Sequence, residues 1–147
     1  MSVYARFKRG PEGFRALVEL LESTPPDRRK RMIDVGMVED AGFTERALKF
    51  VLTWEDICTL PDLQLAEVLA IVPARTIAFS LVGADPKLVK RFLANVRTPT
   101  AKEIDDYIGA TLGAKEIEVA RIKLIEVARR LERKGLVRVK QIPATLS

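Results

Sequence analysis

The stretch Trp54-Glu55-Asp56-Ile57-Cys58-Thr59-Leu60-Pro61-Asp62 divides the chain and sets its reading. Downstream of it, helix punctuation is regular. Asp62 predicts an N-cap for a helix carrying Leu65, Val68 and Leu69, and Pro73 starts another with Ile77 and Leu81 inward and Gly83 as its stop. Asp85-Pro86 sets an N-cap before a proline whose missing N–H costs nothing there, opening a helix to Val96. Thr98-Pro99 repeats the device for a helix to Leu112, closed by Gly113. The longest helix is expected from Ala114 to Lys134, with Gly135 as its C-terminal stop. Leu136-Val137-Arg138-Val139 has β character but no second strand to pair with. The expected fold class is all-α.

Upstream, Phe14, Leu17, Val18 and Leu21 fall at i, i+3, i+4 and i+7, the spacing of one helical stripe. Thr24 is expected to cap a second helix opened by Pro25 and Pro26, with Arg28–Arg31 on its first turns. Gly42 is expected to break the chain, and Thr44 to begin a third helix that carries Leu48 and Leu52 inward. These helices make a short armadillo-like unit over residues 13–50, behind a flexible basic leader, 1–12. Two short helices cannot cover the whole Phe14, Leu17, Val18 and Leu21 stripe. Part of it is therefore expected to stay open as a stacking face, since uncapped repeat units tend to stack; the alternative is that the basic leader folds back and covers it.

Composition narrows the function. A chain of 147 residues, 48% apolar, suits one domain or two small helical ones. Histidine is absent, which removes the commonest general base and metal ligand. Cys58 is the only cysteine, so neither an intrachain disulfide nor a thiolate cluster for zinc can form. No apolar run approaches the roughly 20 residues that span a bilayer. There is no Gly-rich phosphate loop, and Asp105-Asp106, adjacent on a helix, diverge by about 100° and are a poor catalytic pair. The reading is a non-enzyme without cofactor or metal, in a reducing, cytoplasmic setting. The net charge of +5 is uneven: residues 115–147 carry nine basic and four acidic side chains. Such an excess permits an acidic partner without demonstrating one.

At 100° per residue, Ala101, Ile104, Ile108, Thr111 and Leu112 gather on one side of the Thr98–Leu112 helix. Asp106 falls opposite, with Lys102 and Glu103 near it and Asp105 flanking. Lys102 and Asp106, as i,i+4 neighbours, are expected to form a surface pair of about 0.3–0.5 kcal/mol. By the residues alone this is a solvated face.

The Trp54–Asp62 segment resembles the Phe-Glu-Asp-Ile-x-x-Leu-Asp-Asp stretch that opens the last helical subdomain of the FliG family of flagellar motor switch proteins. Gly13-Phe14-Arg15-Ala16-Leu17-Val18-Glu19-Leu20-Leu21 is similar to the start of that family's C-terminal armadillo repeat, and Ala128-Arg129-Arg130-Leu131-Glu132-Arg133-Lys134-Gly135 to its closing helix. Val51, Leu52, Thr53 and Trp54 occupy the place of its Met-Phe-x-Phe hinge, keeping only the last aromatic. The resemblance runs from Gly13 to Val139. It implies an armadillo-like unit at 13–50, a hinge at 51–54, a charged-ridge subdomain at 55–140 and a tail at 141–147. It further implies a rotor part at the cytoplasmic face of the flagellar basal body, acting in torque generation and rotation switching.

In that family two adjacent acidic residues and a following basic one match Asp105, Asp106 and Lys115, and Lys102 and Arg97 complete the implied stator contact. The implied partners are the cytoplasmic loop of a MotA-like stator, FliM- and FliG-like switch-complex components, and a second copy through the stacking face. Two departures stand out. Val82 replaces a family lysine before Gly83-Ala84, and Thr98-Pro99 replaces an arginine, for which Arg97 is the nearest substitute; the ridge is more acidic than usual. The family's N-terminal and middle domains have no counterpart in these residues, which leaves a fragment and a stand-alone paralogue as alternatives. A rival reading is a winged-helix DNA-binding regulator, with the basic C-terminal helix leading into Leu136–Val139 as the wing. It lacks a partner strand and its helix is too long, so no nucleic acid is expected.

Overall fold

A computed structural model of the chain describes residues 3–8 and 12–144. Its helices are α1 (Val3–Phe7), α2 (Gly13–Ser23), α3 (Pro26–Glu39), α4 (Ala41–Leu48), α5 (Trp54–Cys58), α6 (Asp62–Ala70), α7 (Ala74–Ser80), α8 (Pro86–Ala94), α9 (Thr98–Tyr107) and α10 (Ala114–Arg133). Among the described residues there is no strand, and the fold is all-α. The chain divides into two compact units, one ending at Leu52 and taking in the residues from Lys140 on, the other spanning Thr53–Val139.

The first unit closes around the stripe that its sequence makes obvious. Phe14, Leu17, Val18 and Leu21 are all buried, in one cluster with Tyr4, Phe43, Ala47, Val51 and Ile142. Phe14 meets Phe43 and Phe50 edge-on, each with ring centroids 5.8 Å apart. This corrects the expectation of an open stacking face. Covering the stripe needs more than two helices, and the additional walls come from both ends of the unit. The described part of the leader, expected to be loose, contains α1, whose Tyr4 is 2% exposed and donates its hydroxyl hydrogen bond to the Met32 carbonyl. The described part of the tail supplies Ile142, whose carbonyl accepts from Arg15 Nη2 at 3.2 Å, while Lys140 Nζ donates to the Val51 carbonyl at 3.0 Å. A buried side chain of this size contributes about 1.5–3 kcal/mol, enough to order short segments that have little helix propensity of their own.

The helix boundaries in this unit also shift. Thr24 does not cap α3: its hydroxyl donates back to the Leu20 carbonyl at 2.5 Å, and α3 begins behind Pro25 with no side-chain cap. From the basic cluster, Arg29 turns inward and donates to the Thr24 carbonyl at 3.0 Å, satisfying the end of α2. The break before α4 lies at Asp40 rather than Gly42, because the Asp40 carboxylate accepts from the Phe43 N–H at 3.1 Å as an N-cap does. Lys8 Nζ approaches the same carboxylate to 2.7 Å, and this hydrogen bond, followed by that of Phe43, holds the Asp40 carboxyl below its usual range. Thr44 lies inside α4 and is buried.

In the second unit α10 packs against α5, α6 and α7, and α7 in turn carries α9. The α10 face that Ala120, Leu124, Ile125, Ala128 and Leu131 form is buried, as the helical spacing requires. Asp85 caps α8 by accepting from the Lys87 N–H at 2.7 Å, with Pro86 in the first turn. Gly83 and Gly135 both adopt φ 77°, the left-handed conformation in which other residues are strained. Four expectations fail here, the first being the Thr98 cap: Thr98 is the first residue of α9, and Arg97 holds the cap position. Asp62 is the first residue of α6 and not its cap, which is Pro61. Helix α8 stops at Ala94, where Asn95 Nδ2 turns back to the Arg91 carbonyl at 2.9 Å. Helix α9 stops at Tyr107 rather than Leu112, and Ala110 N–H closes a turn onto the Tyr107 carbonyl at 3.0 Å, so Thr111 and Leu112 do not extend its stripe.

The wing of the rival reading is also absent. Leu136 and Val137 N–H groups donate to the Leu131 carbonyl at 3.0 and 3.4 Å, and Arg138 N–H donates to Gln64 Oε1 at 2.8 Å. These bonds consume the donors that a strand ladder would need, and Val137 is fully buried.

Candidate interaction surface

Helix α9 is held by its inner side. Ile104 is fully buried, Ala101 and Ile108 are half-buried, and Tyr107 sets its ring edge-on to Phe79 at 6.3 Å. Its outer side presents Lys102, Glu103, Asp105 and Asp106 to solvent. Arg97 occupies the N-cap position without a side-chain capping bond, and Lys115 stands exposed in the first turn of α10. Asp105, Asp106, Lys102, Arg97 and Lys115 are thus all accessible. The expected Lys102–Asp106 pair does not form: among the described residues neither takes part in an ion pair, and full hydration is the stronger competitor at such an exposed site.

Four of these charges stand at the wrong helix ends for stability. Asp105 and Asp106 lie in the last turn of α9, near the negative pole of its dipole, with no basic residue in that turn. Arg97 and Lys115 stand at the positive poles of α9 and α10. Each such placement costs on the order of 0.3–1 kcal/mol at an exposed terminus.

Elsewhere in the unit two arginines bind partners remote in sequence. Arg91 of α8 donates Nη1 to the Cys58 carbonyl at 2.8 Å and Nη2 to the Leu60 carbonyl, and pairs with Asp62 at 3.0 Å. It thereby fixes the α5–α6 turn. Arg121 of α10 donates Nε to the Ser80 carbonyl at 3.0 Å and stacks its guanidinium 4.9 Å from the Trp54 ring centroid. Neither role is readable locally, because the partners lie 29 or more positions away.

The segment Val51, Leu52, Thr53 and Trp54 is split by the unit boundary. Val51 and Leu52 are buried residues of the first unit, where Leu52 N–H donates to Glu22 Oε2 at 2.8 Å. Thr53 opens the second unit as the N-cap of α5 in a capping box with Asp56: the Asp56 N–H donates to Thr53 Oγ1 at 3.2 Å, and the Thr53 N–H donates to Asp56 Oδ2 at 2.9 Å. The half-buried Trp54 packs on Phe92 at 5.9 Å.

No group of three or more potential metal-ligating side chains occurs among the described residues, and no described helix is long and apolar enough to cross a membrane. Burial pushes the Cys58 thiol up to about 11, against the opposing pull of Arg121 and Arg91. At pH 8 its alkylation by iodoacetamide is expected to run at least about tenfold slower than in the urea-unfolded chain, because the thiolate is the reactive form. Equal rates would mean the thiol is not desolvated. By linkage, the stability gained from keeping the thiol neutral is full below its unfolded pKa and declines as pH rises toward about 11.

The second unit is an all-α scaffold that presents an exposed set of charges on α9 and at the start of α10. A family model, the FliG C-terminal domain, matches residues 38–139, and the chain belongs to that family. It is 28% identical over 130 residues to the flagellar motor switch protein FliG of Aquifex aeolicus, covering 87% of this chain and 40% of the relative. To FliG of Thermotoga maritima it is 27% identical over 126 residues, covering 84% and 37%. Among solved structures it is similar to FliG residues 86–343 from H. pylori (TM-score 0.64, 22% identity, 89% of this chain and 63% of that one). It is also similar to full-length FliG from Aquifex aeolicus (TM-score 0.55, 26% identity, 86% and 40%). The chain spans about two fifths of the length of these curated relatives. The family match runs through residues 131–139, where the winged-helix reading placed its junction, and displaces that reading.

Proposed function

We propose that this chain is a rotor-type module of the flagellar motor switch, in which Asp105 and Asp106, flanked by Lys102, Arg97 and Lys115, meet charges of opposite sign on the cytoplasmic loop of a MotA-like stator. The observation that carries the reading is the position of these charges, exposed and set against the local helix dipoles. Membership in the FliG C-terminal domain family and its similarity to flagellar motor switch proteins support it. Opposed surface charges suit a motor contact. Each pair is worth about 0–1 kcal/mol, so contacts form and release quickly while still setting register. Torque and switching at the cytoplasmic face of the basal body, with FliM- and FliG-like neighbours, follow from the same reading. Val51–Trp54 serves there as the hinge on which the charged subdomain turns.

The test is a charge exchange across the contact. In a strain using this chain's ridge in its rotor, Asp106→Lys is expected to impair swimming. A lysine- or arginine-to-glutamate change in the stator loop is expected to restore it. Impairment that no stator reversal relieves would remove the stator role.

A further inference from the structure

Two surfaces of the second unit lie outside the charged ridge. Opposite its buried Leu65, Val68 and Leu69, α6 turns Leu63, Glu67 and Ala70 to solvent, and Ile71 follows at its end. Leu63 is 85% and Ile71 52% exposed, which is uncommon for side chains of this size. Helix α8 does the reverse. It is anchored by the fully buried Phe92 and by Arg91, while Pro86, Val89, Lys90 and Leu93 line an open groove of about 420 Å³ completed by Leu81 and Ile108.

The two surfaces match in length, chemistry and order of charge. On α6, Glu67 lies midway between Leu63 and Ile71, about 6 Å along the axis from each. On α8, Lys90 lies between Pro86 and Leu93, at a distance of about 4.5–6 Å from each. An apolar–carboxylate–apolar ridge of about 12 Å is thus matched by an apolar–ammonium–apolar groove of about 10.5 Å. We propose that the α6 ridge of one copy of this chain seats in the α8 groove of a second copy, with Leu63 and Ile71 in the apolar ends and Glu67 against Lys90. Ridge and groove are different surfaces of one unit, so copies join head to tail rather than as a two-fold pair, and the contact can repeat. Two apolar side chains and one ion pair fall well short of the roughly 800 Å² per partner of a stable complex. The contact is weak alone and acts where copies are already held close. It does not rest on the stator reading, because it uses none of the five residues proposed for the stator contact; Ile108, which completes the groove, is the C-cap of α9.

Sedimentation velocity of the full chain, from micromolar to millimolar concentration, tests it. The wild type is expected to pass from monomer to species larger than dimer. Glu67→Lys and Lys90→Glu, both at exposed positions, are each expected to weaken association about tenfold, and an equimolar mixture of the two to recover it. Leu63→Glu and Leu93→Glu, each monomeric alone and each melting as wild type does, are expected to mix to a dimer and no further. A wild type that stays monomeric throughout overturns the proposal. So do single charge reversals that leave association unchanged, or a charge-reversed mixture that fails to recover it.

Discussion

Gly36→Ala is expected to destabilise the first unit by about 2 kcal/mol, against the direction that helix propensity predicts. Gly36 lies within α3 and is buried, and a Cβ there would run into the Tyr4 ring and the Thr44 hydroxyl. Relief requires α1 to move outward. That costs the burial of Tyr4 and its hydrogen bond to Met32, and it opens the cluster around Phe14 and Leu17. Gly42 in the first turn of α4 supplies the control. A Cβ there has Arg46 Nη1 at 3.7 Å and Asp40 Oδ1 at 3.8 Å, ordinary contact distances, so Gly42→Ala is expected to be neutral or stabilising by about 0.5 kcal/mol. Urea denaturation, with hydrogen exchange followed in α2 to α4, distinguishes the two. Equal stability of both variants would mean that α1 does not close over Gly36.

Reversing Asp105 and Asp106 together to lysine is expected to abolish swimming in a strain dependent on this ridge, while the thermal melt stays level or rises. Loss of function follows from the proposed stator contact, in which attraction becomes repulsion at two adjacent sites. The stability sign follows from the helix: both residues are exposed in the last turn of α9, where a cation is favoured by about 0.3–1 kcal/mol over neutrality. A merely structural role would give the opposite pairing, with motility and melting temperature falling together. Ile104→Asp provides that comparison, since it puts a charge at a fully buried position and should lower both. Normal swimming by the double lysine variant would remove these residues from the contact.

The two outcomes reflect different depths of sequence information. The second unit is largely legible because its signals are local: Asp85-Pro86 at the start of α8, Gly83 and Gly135 in left-handed turns, and the apolar spacing of α10. The exposure of Asp105 and Asp106 is legible for the same reason, since a buried Ile104 at helical spacing turns both outward. The all-α class and the family membership needed nothing more. The cover of the Phe14–Leu21 stripe was legible only as an alternative, the folding back of the leader, because periodicity states that a face must be covered and not by what. Tyr4 and Ile142, at opposite ends of the chain, cover it, and neither lies in a segment with a strong signal of its own. The same limit hides Arg91 and Arg121, whose value lies in carbonyls of distant turns. Local backbone preferences and patterning are written residue by residue, whereas burial and long-range hydrogen bonds exist only once the chain has closed on itself.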